Sequence, residues 1–438
     1  MRTYDLIIIG SGPGGYIAAL YASRFKKSVC VMEKAELGGT CLNRGCIPTK
    51  AMLHSASLLS TIKGSSEYGI EVSGIVVNFP VISARKDAVV ARLRAGVETL
   101  FKANKIDLVR GDAKLSGANT VTVNGVEYSA KDIIVATGSR PAALSGIPFD
   151  EKGIYSSDGI FSLKDIPGSI TIVGGGVIGC EFASLFNALG SQVTIVEILD
   201  RLLPTQSKEI SRKLETIFKK RGIEIRTSTK FEPGAGSQKI LVAVGRKPNT
   251  EDVGLEALGI KTKDGRITVD DNLRTQVKNI YAIGDCVAGP LLAHKASYDG
   301  ILACDNIMGN PRRVDYSNVP NCIWTDPEIA SVGLNEEEAR LKCPDLKIAK
   351  FPYLASGKAY IMGKSEGFIK MIGDADGNIL GVEIFGLEAC DLIGEACLAK
   401  SAGVNIKDWA RVVHGHPTLS EIFQEAAHIF TGTAIHSL

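Results

Sequence analysis

A glycine-rich turn between an apolar strand and a helix constrains the fold of this chain more than any other feature. A strand predicted over 4–9 leads into the turn GSGPGG, a helix is predicted over 16–25, and a second strand over 28–32 ends on Glu33. In such a unit the glycines allow a tight turn, the helix N-terminus attracts a phosphate, and the acid binds ribose hydroxyls. The pattern predicts a dinucleotide site. Its glycines are Gly10, Gly12, Gly14 and Gly15.

The same unit returns in the second half of the chain. A strand over 169–173 precedes the turn GGGVIG, and a strand over 192–196 leads to Glu197. In both copies the acid lies 23 residues after the first glycine, from 10 to 33 and from 174 to 197. We expect two nucleotide-binding halves, one for a fixed and one for an exchangeable cofactor; alternatively, one half has become a structural layer. The glycines of the second turn are Gly174, Gly176 and Gly179.

Two shorter segments also repeat, VATGSRP at 135–141 and VAVGRKP at 242–248. Each is predicted to be a buried strand that ends on a glycine beside the nucleotide. The first half also carries a predicted strand-turn-strand over 120–128 around an Asn-Gly pair. The second half is ten residues shorter in this interval and offers only KFEPGAGSQK. We therefore expect a meander to be missing near Phe231 to Lys239, either lost in this protein or absent from the given chain.

Two of the ten cysteines, Cys41 and Cys46, lie five positions apart in GGTCLNRGCIPTK. On a continuous helix five residues rise ~7.5 Å, which exceeds the ~6.8 Å that a disulfide tolerates between Cα atoms. A bond between them must bend the backbone, and nearby glycines allow that bend. Because a strained pair in a small loop is readily reduced, the spacing favours a redox-active disulfide. The alternative is two reduced, packed thiols.

Composition and charge argue against several classes of partner. The 438 residues include 50 Lys and Arg against 48 Asp and Glu, so the net charge of +2 provides no field for nucleic acid or a membrane. The cysteine spacings suggest neither a disulfide scaffold nor a zinc site, so no metal is expected. Without an 18-residue apolar run or a leader, we expect a protein of the cytoplasm, or of the mitochondrial matrix if a transit peptide has been removed.

The segment after residue 267 brings an aspartate to the end of an apolar strand. The motif IYAIGDC ends on Gly284 and Asp285, and a helix is predicted over 293–308. Asp285 is placed to accept a hydrogen bond from a polyol, and the helix N-terminus can face a ring carbonyl. The alternative is that Asp285 caps the helix. His294 is expected to be a residue near the cap rather than a functional one.

After residue 311 the pattern changes to short alternating strands. An antiparallel sheet backed by helices, without a nucleotide motif, indicates an association domain. Strands are predicted over 322–325, 347–353, 367–372 and 379–385, and helices over 388–402 and 407–413.

The motif HGHPTLSE closes this segment and holds His414, His416 and Glu421 within eight residues. Imidazole exchanges protons near neutral pH, and a carboxylate can orient it and support its cationic form. Acid-base catalysis is therefore predicted. The alternatives are that Glu421 is an ordinary acid in the first turn of a helix, or that the histidines bind a metal.

Together, GSGPGG, GGTCLNRGCIPTK, VATGSRP, GGGVIGCE, VAVGRKP, IYAIGDC and HGHPTLSE resemble the motifs of the flavoprotein disulfide reductases with two dinucleotide-binding domains. The resemblance covers nearly the whole chain and is greatest to members that oxidise protein-bound dihydrolipoamide with NAD+. It implies an α/β fold with two Rossmann-like domains and a C-terminal α+β dimerisation domain. The implied domains are 1–144 for FAD, 145–267 for NAD, 268–314 as a central domain that completes the FAD domain, and 315–438 for dimerisation.

The resemblance also implies which residues bind each cofactor. FAD would contact the first glycine turn and Glu33, together with Gly39, Thr40, Lys50, Thr137, Gly138, Gly284 and Asp285. NAD would contact Gly174, Gly176, Gly179, Glu197 and Gly245.

The catalytic roles of the thiols follow from the same resemblance. Cys46 would face the flavin as a charge-transfer thiolate, and Cys41 would exchange with the substrate. Lys50 would place a cation near the reactive nitrogen of the flavin and would pair with Glu181. Lys50 and a helix N-terminus would favour the Cys46 thiolate.

The resemblance makes His416 and Glu421 the acid-base pair that serves the disulfide of the opposite subunit, so the active site would require a homodimer. Dihydrolipoamide, deprotonated by His416, would attack Cys41, and electrons would pass through FAD to NAD+. The expected partner is the lipoyl domain of a dihydrolipoyl acyltransferase, or a glycine-cleavage carrier, in a multienzyme complex.

Three alternatives to this function have different sequence requirements. Glutathione-type reductases hold the 2'-phosphate of NADPH with basic side chains after the second strand, where this chain has Glu197, Ile198 and Leu199. Mercuric-ion reductases carry a C-terminal cysteine pair, which is missing after Cys397. A non-catalytic flavoprotein binding module would not need the cysteine pair with His416 and Glu421.

Overall fold

The computed structural model describes residues 2–232 and 238–436. The chain divides into two compact units. Unit 1 comprises Met1–Ser55, Gly74–Ile166 and Leu241–Tyr316, and unit 2 comprises Ala56–Ser73, Pro167–Ile240 and Ser317–Leu438.

The first third of the chain alternates strands and helices around the first glycine turn. Its elements are β1 (Arg2–Ile9), α1 (Pro13–Ser23), β2 (Val29–Glu33), α2 (Gly39–Arg44), α3 (Cys46–Lys63), α4 (Phe79–Ala103), β3 (Asp107–Arg110), β4 (Ala113–Gly117), β5 (Thr120–Val123), β6 (Val126–Val135) and β7 (Ser139–Pro141).

The middle third repeats this alternation around the second glycine turn. Its elements are β8 (Ile154–Ser156), β9 (Ser169–Val173), α5 (Val177–Leu189), β10 (Gln192–Val196), α6 (Lys208–Lys220), β11 (Glu224–Arg226), β12 (Lys239–Val242), β13 (Arg246–Pro248), β14 (Thr262–Lys263) and β15 (Arg266–Ile267).

The last third contains one strand and helix of unit 1 and then the elements of the C-terminal segment. They are β16 (Ile280–Ala282), α7 (Ala293–Ile307), β17 (Asn321–Ile323), β18 (Ile329–Gly333), α8 (Glu336–Lys342), β19 (Lys347–Pro352), α9 (Gly357–Ile361), β20 (Phe368–Gly373), β21 (Ile379–Phe385), α10 (Ala389–Ser401), α11 (Ile406–Trp409) and α12 (Glu421–Thr431).

The main sheet of unit 1 has the strand order β3-β2-β1-β6-β5-β4, and β16 also pairs with β6. The strands β3, β2, β1, β6 and β16 run parallel, as expected for strands connected by helices. The predicted hairpin is confirmed, since β5 and β6 pair around Asn124 and Gly125, which both have positive φ. Apolar clusters cover both faces of this sheet, which explains why the second half of β1, residues 6–9, is continuously apolar.

Helices α1 and α7 of unit 1 pack unusually closely. A Cβ on Gly300 would lie 2.5 Å from the carbonyl oxygen of Gly14, and a Cβ on Gly14 would lie 2.9 Å from the carbonyl oxygen of Ala296. Gly14 and Gly300 therefore let the two backbones approach. The contact fixes the start of α1, which carries the first glycine turn.

Unit 2 contains the parallel strands β11, β10 and β9 and a separate antiparallel sheet of order β17-β18-β21-β20-β19. Helices α10, α11 and α12 share one apolar cluster with the antiparallel sheet. The predicted α/β class and the α+β character of the C-terminal segment are thus confirmed. None of the helices in the described residues combines the length and apolarity that crossing a membrane requires.

Some predicted elements differ from the structure. Strand β18, which follows Asp326-Pro327 after one residue, was not predicted, and the burial of its five residues does not alternate strictly. Helix α11 ends at Trp409 rather than at Val413, and the next residues but one, Arg411, Val412 and Val413, are exposed, so burial does not stabilise a longer helix. The predicted missing meander includes 233–237, which lie outside the described residues.

Candidate active site

The first glycine turn is shaped for a ligand that lies close to the backbone. Gly10 has a φ of +100°, and a Cβ on Gly15 would lie 2.0 Å from the carbonyl oxygen of Gly10, so α1 packs directly against the end of β1. A Cβ on Gly12 would have no neighbour within 4 Å. Gly12 therefore borders open space at the N-terminus of α1, where a phosphate group is favoured.

The second turn repeats this geometry in unit 2. Gly174 has a φ of +108°, and a Cβ on Gly179 would lie 1.9 Å from the carbonyl oxygen of Gly174. Gly176, like Gly12, borders open space. The two glycine turns, which the sequence repeat predicted to be equivalent, therefore have the same backbone conformation and the same packing.

The two acids after the second strands are buried and are held in the same way. Glu33 accepts hydrogen bonds from the Ser11 N–H at 2.8 Å and the Ala35 N–H at 2.8 Å. Glu197 accepts them from the Gly175 N–H at 2.5 Å and the Leu199 N–H at 2.8 Å. Each carboxylate thus joins the end of its second strand to the residue that follows the first glycine.

The cysteine loop rests directly on the first glycine turn. The Gly38 N–H donates to the carbonyl oxygen of Ser11 at 3.0 Å, and a Cβ on Gly39 would lie 2.6 Å from the Cα of Gly12. The side chain of Asn43 ties the loop by donating to the carbonyl oxygens of Leu37 and Gly39. The predicted FAD residues Gly39 and Thr40 therefore begin α2 beside the turn.

The predicted bend between the two cysteines is present. Cys41 lies in α2 and Cys46 is the first residue of α3, and the helices are separated by Gly45, whose φ of −139° and ψ of −111° are not helical. A Cβ on Gly45 would lie 3.0 Å from the carbonyl oxygen of Thr40. The break brings the two thiols together at the N-terminus of α3.

The two thiols share a hydrogen bond, and this bond is the main reason why the pKa of Cys41 is raised. Burial and the charge of Cys46 raise the pKa further, whereas the cation of Lys50 lowers it. Loss of the Cys41 proton would leave two anionic sulfurs side by side, so the pair holds one proton more tightly than the other. Lys50 favours the first ionisation of the pair.

The two repeated segments after the glycine turns pair with each other in unit 1. Strands β7 and β13 are antiparallel, with Lys247 opposite Arg140. The Thr137 hydroxyl donates to the carbonyl oxygen of Asn249 at 2.6 Å, and the Asn249 N–H donates to the carbonyl oxygen of Gly138 at 2.9 Å. VATGSRP and VAVGRKP begin as predicted, since Val135 ends the buried strand β6 and Val242 ends β12, but their last three residues pair as one ribbon. Sequence reasoning aligned these segments but did not predict their pairing.

This ribbon also holds Asp285. The Ser139 hydroxyl donates to Asp285 Oδ2 at 2.5 Å, and Arg246 Nε donates to the Ser139 hydroxyl oxygen at 2.8 Å. The alternative that Asp285 caps α7 is wrong, since the residue at that cap is Leu292. Ser139 and Arg246 were missed from the sequence, although both belong to the repeated segments.

A buried ion pair lies behind the turn Gly284–Cys286. Lys295 Nζ lies 2.8 Å from Asp299 Oδ2, and both side chains are fully buried. Lys295 also donates to the carbonyl oxygen of Gly284 at 3.0 Å, while Asp299 accepts the Gly284 N–H at 3.0 Å and the Tyr316 hydroxyl at 2.9 Å. Burial raises the pKa of Asp299, and Lys295 opposes that rise. The pair fixes the peptide that presents Asp285; a Lys and an Asp four residues apart on a buried helix were the signal in the sequence.

In unit 2, His416 and Glu421 form the predicted pair. His416 Nδ1 lies 2.9 Å from Glu421 Oε1, and the Thr418 N–H donates to Glu421 Oε2 at 2.8 Å. Burial opposes ionisation of Glu421, but these hydrogen bonds outweigh it and lower its pKa. The His416 side chain is 78% exposed, so the ring is oriented by a carboxylate and still open to a reactant.

The other histidine of the motif is placed differently. The His414 side chain is only 6% exposed, and its Nε2 lies 2.9 Å from Glu395 Oε1, which also accepts the Trp409 indole N–H at 2.8 Å. His414 is therefore a packing residue that anchors the loop before His416.

The remaining predicted residues lie in one or the other unit. Glu181 is buried in α5 of unit 2, where its Oε1 accepts the Trp324 N–H at 3.0 Å. Lys50 belongs to α3 in unit 1, so its pairing with Glu181 stays a prediction. Gly245 has a φ of +125° and borders open space, and His294 lies in the first turn of α7.

The residues of unit 1 fit a flavin dinucleotide. An open glycine turn at a helix N-terminus, a buried acid at the end of β2, and Asp285 on a fixed turn provide sites for a pyrophosphate and for hydroxyl groups. The dithiol at the start of α3 lies on the same glycine turn. Fold and site together define a nucleotide-dependent disulfide oxidoreductase.

Comparison with known proteins agrees with this class. The family described as pyridine nucleotide-disulphide oxidoreductase matches residues 4–300, and its dimerisation domain matches residues 319–427. The chain therefore belongs to this family. The dihydrolipoyl dehydrogenases of this family use FAD and NAD(H), and the dimerisation domain supports a homodimer.

Curated relatives show which members of the family this chain is similar to. A dihydrolipoyl dehydrogenase of Bacillus subtilis is 42% identical and covers 99% of both chains, and one of Thermus scotoductus is 41% identical and covers 100% of both. The alignment with the first relative spans 469 positions, more than the 438 residues of this chain, so that relative has residues that this chain lacks. Among solved structures, LpdA of Mycobacterium tuberculosis has a TM-score of 0.91 at 25% identity and covers 98% of this chain and 99% of its own.

Proposed function

We propose that this chain catalyses the dihydrolipoyl dehydrogenase reaction, in which protein-bound dihydrolipoamide is oxidised to lipoamide and NAD+ is the final acceptor. The full-length relatives at 41% and 42% identity carry that name. The observation that carries the proposal is the thiol pair Cys41 and Cys46, which meets at a helix break on the first glycine turn.

The thiol chemistry is an exchange between two disulfides. A substrate thiolate attacks Cys41, the bond between Cys41 and Cys46 breaks, and a mixed disulfide with Cys41 forms. The second thiol of the substrate then attacks the substrate sulfur that is bonded to Cys41. The bond to Cys41 breaks, lipoamide is released, and the protein is left with two thiols. FAD, which the first glycine turn, Glu33 and Asp285 would hold, would supply the two-electron transfer between this dithiol and NAD+.

Several residues prepare the thiols for this reaction. Lys50 lies one helical turn after Cys46, and its charge favours ionisation of the pair. The N-terminus of α3 acts in the same direction at Cys46. We therefore assign the thiolate to Cys46 and the exchange with substrate to Cys41.

His416 would move the substrate proton. Its exposed ring can accept a proton from a dihydrolipoamide thiol, while Glu421 orients Nδ1 and stabilises the cation. We place this pair at the disulfide of a second copy of the chain, so that His416 of the partner subunit would complete the site. The dimerisation domain at residues 319–427, which contains His416, supports this arrangement.

The second glycine turn supports NAD+ as the exchangeable cofactor. After Glu197 the next two side chains are Ile198 and Leu199, which are 70% and 48% exposed. An acid for the ribose hydroxyls and no basic residue at these positions favour NAD+ over NADP+. The proposed substrate is a lipoyl domain of an acyltransferase or a glycine-cleavage carrier in a multienzyme complex, and the proposed location is the cytoplasm.

An anaerobic reduction of the purified flavoprotein tests the substrates and cofactors together. We expect dihydrolipoamide and NADH to change the flavin absorbance within seconds, and glutathione and NADPH to act at least ~100-fold more slowly. Fast reduction by glutathione and NADPH, with no response to dihydrolipoamide, would contradict the proposal.

A further inference from the structure

Unit 2 contains a second thiol pair that the proposed reaction does not use. Cys322 lies in β17 and Cys390 is the second residue of α10, 68 positions further along the chain. Cys322 Sγ lies 3.9 Å from the carbonyl oxygen of Cys390, and Cys390 Sγ lies 3.7 Å from the carbonyl oxygens of Ile323 and Ile329. Each sulfur thus points at the backbone of the other segment.

The two thiols also share a hydrogen bond, as Cys41 and Cys46 do. Both residues are half-buried, so a small reagent can approach them. A third thiol, Cys397, lies two turns along α10, where burial and the charge of Cys322 raise its pKa to about 11. The described residues contain no group of three or more His, Cys, Asp or Glu suited to a metal ion, so a pairwise reaction of the thiols is favoured.

We propose that Cys322 and Cys390 form a second redox couple, which a low-molecular-weight disulfide such as oxidised glutathione converts into a disulfide that joins β17 to α10. The proposal depends only on unit 2 and does not rest on the dihydrolipoamide reaction.

The reaction is a two-step exchange. The Cys390 thiolate attacks oxidised glutathione, the glutathione S–S bond breaks, and one glutathione thiolate leaves. The Cys322 thiolate then attacks the Cys390 sulfur, and the second glutathione thiolate leaves. The protein loses two electrons, one oxidised glutathione gains them, and the two thiol protons end on two molecules of glutathione.

The surroundings of Cys322 and Cys390 slow the oxidation of this couple. Besides the hydrogen bond with Cys322 and burial, the charge of Glu328 raises the pKa of Cys390, and the charge of Glu181 adds to it. Glu328 Oε2 accepts the Cys390 N–H at 3.0 Å, and burial raises the pKa of Glu328 to about 7. At pH 8 Glu328 is ionised and opposes the thiolate.

Other charged groups surround this site. Glu388 and Asp391, at the start of α10, raise the pKa of Glu328, while Lys400 lowers that of Cys397. These charges are nearly all negative, in contrast to the cation at Cys41 and Cys46. The couple is therefore expected to respond to sustained oxidation rather than to take part in each turnover.

The test uses the FAD-loaded protein, reduced with a dithiol reagent that is then removed, and exposed anaerobically to oxidised glutathione at pH 8. After alkylation, trypsin and a protease that cleaves before aspartate separate Cys390 from Cys397, because Asp391 lies between them. Mass spectrometry should find the Cys322–Cys390 disulfide, formed more slowly than the Cys41–Cys46 disulfide in the same sample.

Three variants sharpen the result. Cys322→Ser should trap glutathione on Cys390, and the matched control Cys343→Ser should leave the disulfide unchanged. Glu328→Gln keeps an acceptor for the Cys390 N–H and removes the charge. A fall of one unit in the pKa of the Cys390 thiol raises the fraction of thiolate tenfold, but the thiolate becomes a weaker nucleophile. We therefore expect the disulfide to form about threefold faster in this variant at pH 8.

Two outcomes would overturn the inference. One is that Cys322 and Cys390 are still fully alkylated when the Cys41–Cys46 disulfide has formed and oxidised glutathione is in large excess. The other is that Cys390 pairs with Cys397 rather than with Cys322.

Discussion

The two thiol pairs have the same sulfur chemistry and opposite surroundings. Cys41 and Cys46 are close in sequence, and Lys50 favours ionisation of the pair. Cys322 and Cys390 are 68 residues apart, and Glu328 and Glu181 oppose ionisation. Each pair has one cysteine in the first turn of a helix, but the first pair lies on a glycine turn, whereas the second joins a strand to a helix.

This difference shows that the reactivity of a dithiol depends on its neighbours more than on the sulfurs. Cys46 and Cys390 both lie in the first turn of a helix, so the contrast comes from the charges: a cation stabilises a thiolate, whereas buried carboxylates destabilise it. The same hydrogen-bonded pair can therefore be a catalytic group in one unit and a slowly oxidised group in the other. The predictions below test each part of this comparison.

The largest effect is expected from Cys41→Ser. Because the substrate exchanges with Cys41, turnover of dihydrolipoamide should be abolished, while FAD binding should be retained. Steady-state assays and the flavin absorbance of the purified variant measure both. Cys322→Ser is the matched control and should keep turnover within about twofold; equal losses in the two variants would remove the distinction between the pairs.

The next effect concerns the proton donor and acceptor. His416→Gln should lower kcat for dihydrolipoamide by roughly 10²- to 10³-fold, since general acid-base catalysis contributes that much. His436→Gln is a close control, because His436 is also exposed and its Nδ1 lies 2.8 Å from Glu425. Neither change should affect formation of the Cys322–Cys390 disulfide. If His416→Gln slows that reaction as well, the loss of turnover would not indicate a specific role for His416.

A smaller effect should appear in stability near the second pair. The pKa of Glu328 is raised from 4.5 to about 7. The contribution of this carboxyl group to the stability of the folded state is therefore fully present below pH 4.5 and is lost as the pH rises through 7. The Glu328→Gln variant should not show this loss. The free energy of unfolding of the variant, relative to that of the unchanged protein, should therefore be about 2 kcal/mol higher at pH 8 than at pH 5.

Urea unfolding followed by tryptophan fluorescence measures this difference in unit 2, which contains both tryptophans, Trp324 and Trp409. Glu366→Gln, at an exposed position of the same unit, should show no pH-dependent difference. A Glu328→Gln variant whose relative stability is the same at pH 5 and pH 8 would show that the carboxyl is not held neutral by burial.

The smallest effect is expected from Lys50→Gln. Without the cation the first thiolate of the Cys41–Cys46 pair is less favoured, so alkylation of the reduced pair at pH 7 should slow by roughly threefold. Lys63→Gln changes an exposed charge on the same helix and should not alter the rate. If Lys50→Gln changes alkylation of Cys390 equally, the effect is not local.

The sequence by itself determined the parts of the site in which neighbouring residues create the chemistry. The glycine turns, the acids Glu33 and Glu197, and the bend between Cys41 and Cys46 could be predicted because each depends on local backbone geometry and spacing. The cluster of His414, His416 and Glu421 was predicted from the same kind of local spacing, whereas the choice of His416 as the partner of Glu421 came from the family resemblance.

Tertiary structure decided the contacts between distant segments. The hydrogen bonds of Ser139 with Asp285 and Arg246 and the meeting of Cys322 with Cys390 could not be predicted from spacing. Such contacts depend on which strands pair and which helices pack together. Their charges act only after burial removes water, so the folded environment sets the ionisation of these groups.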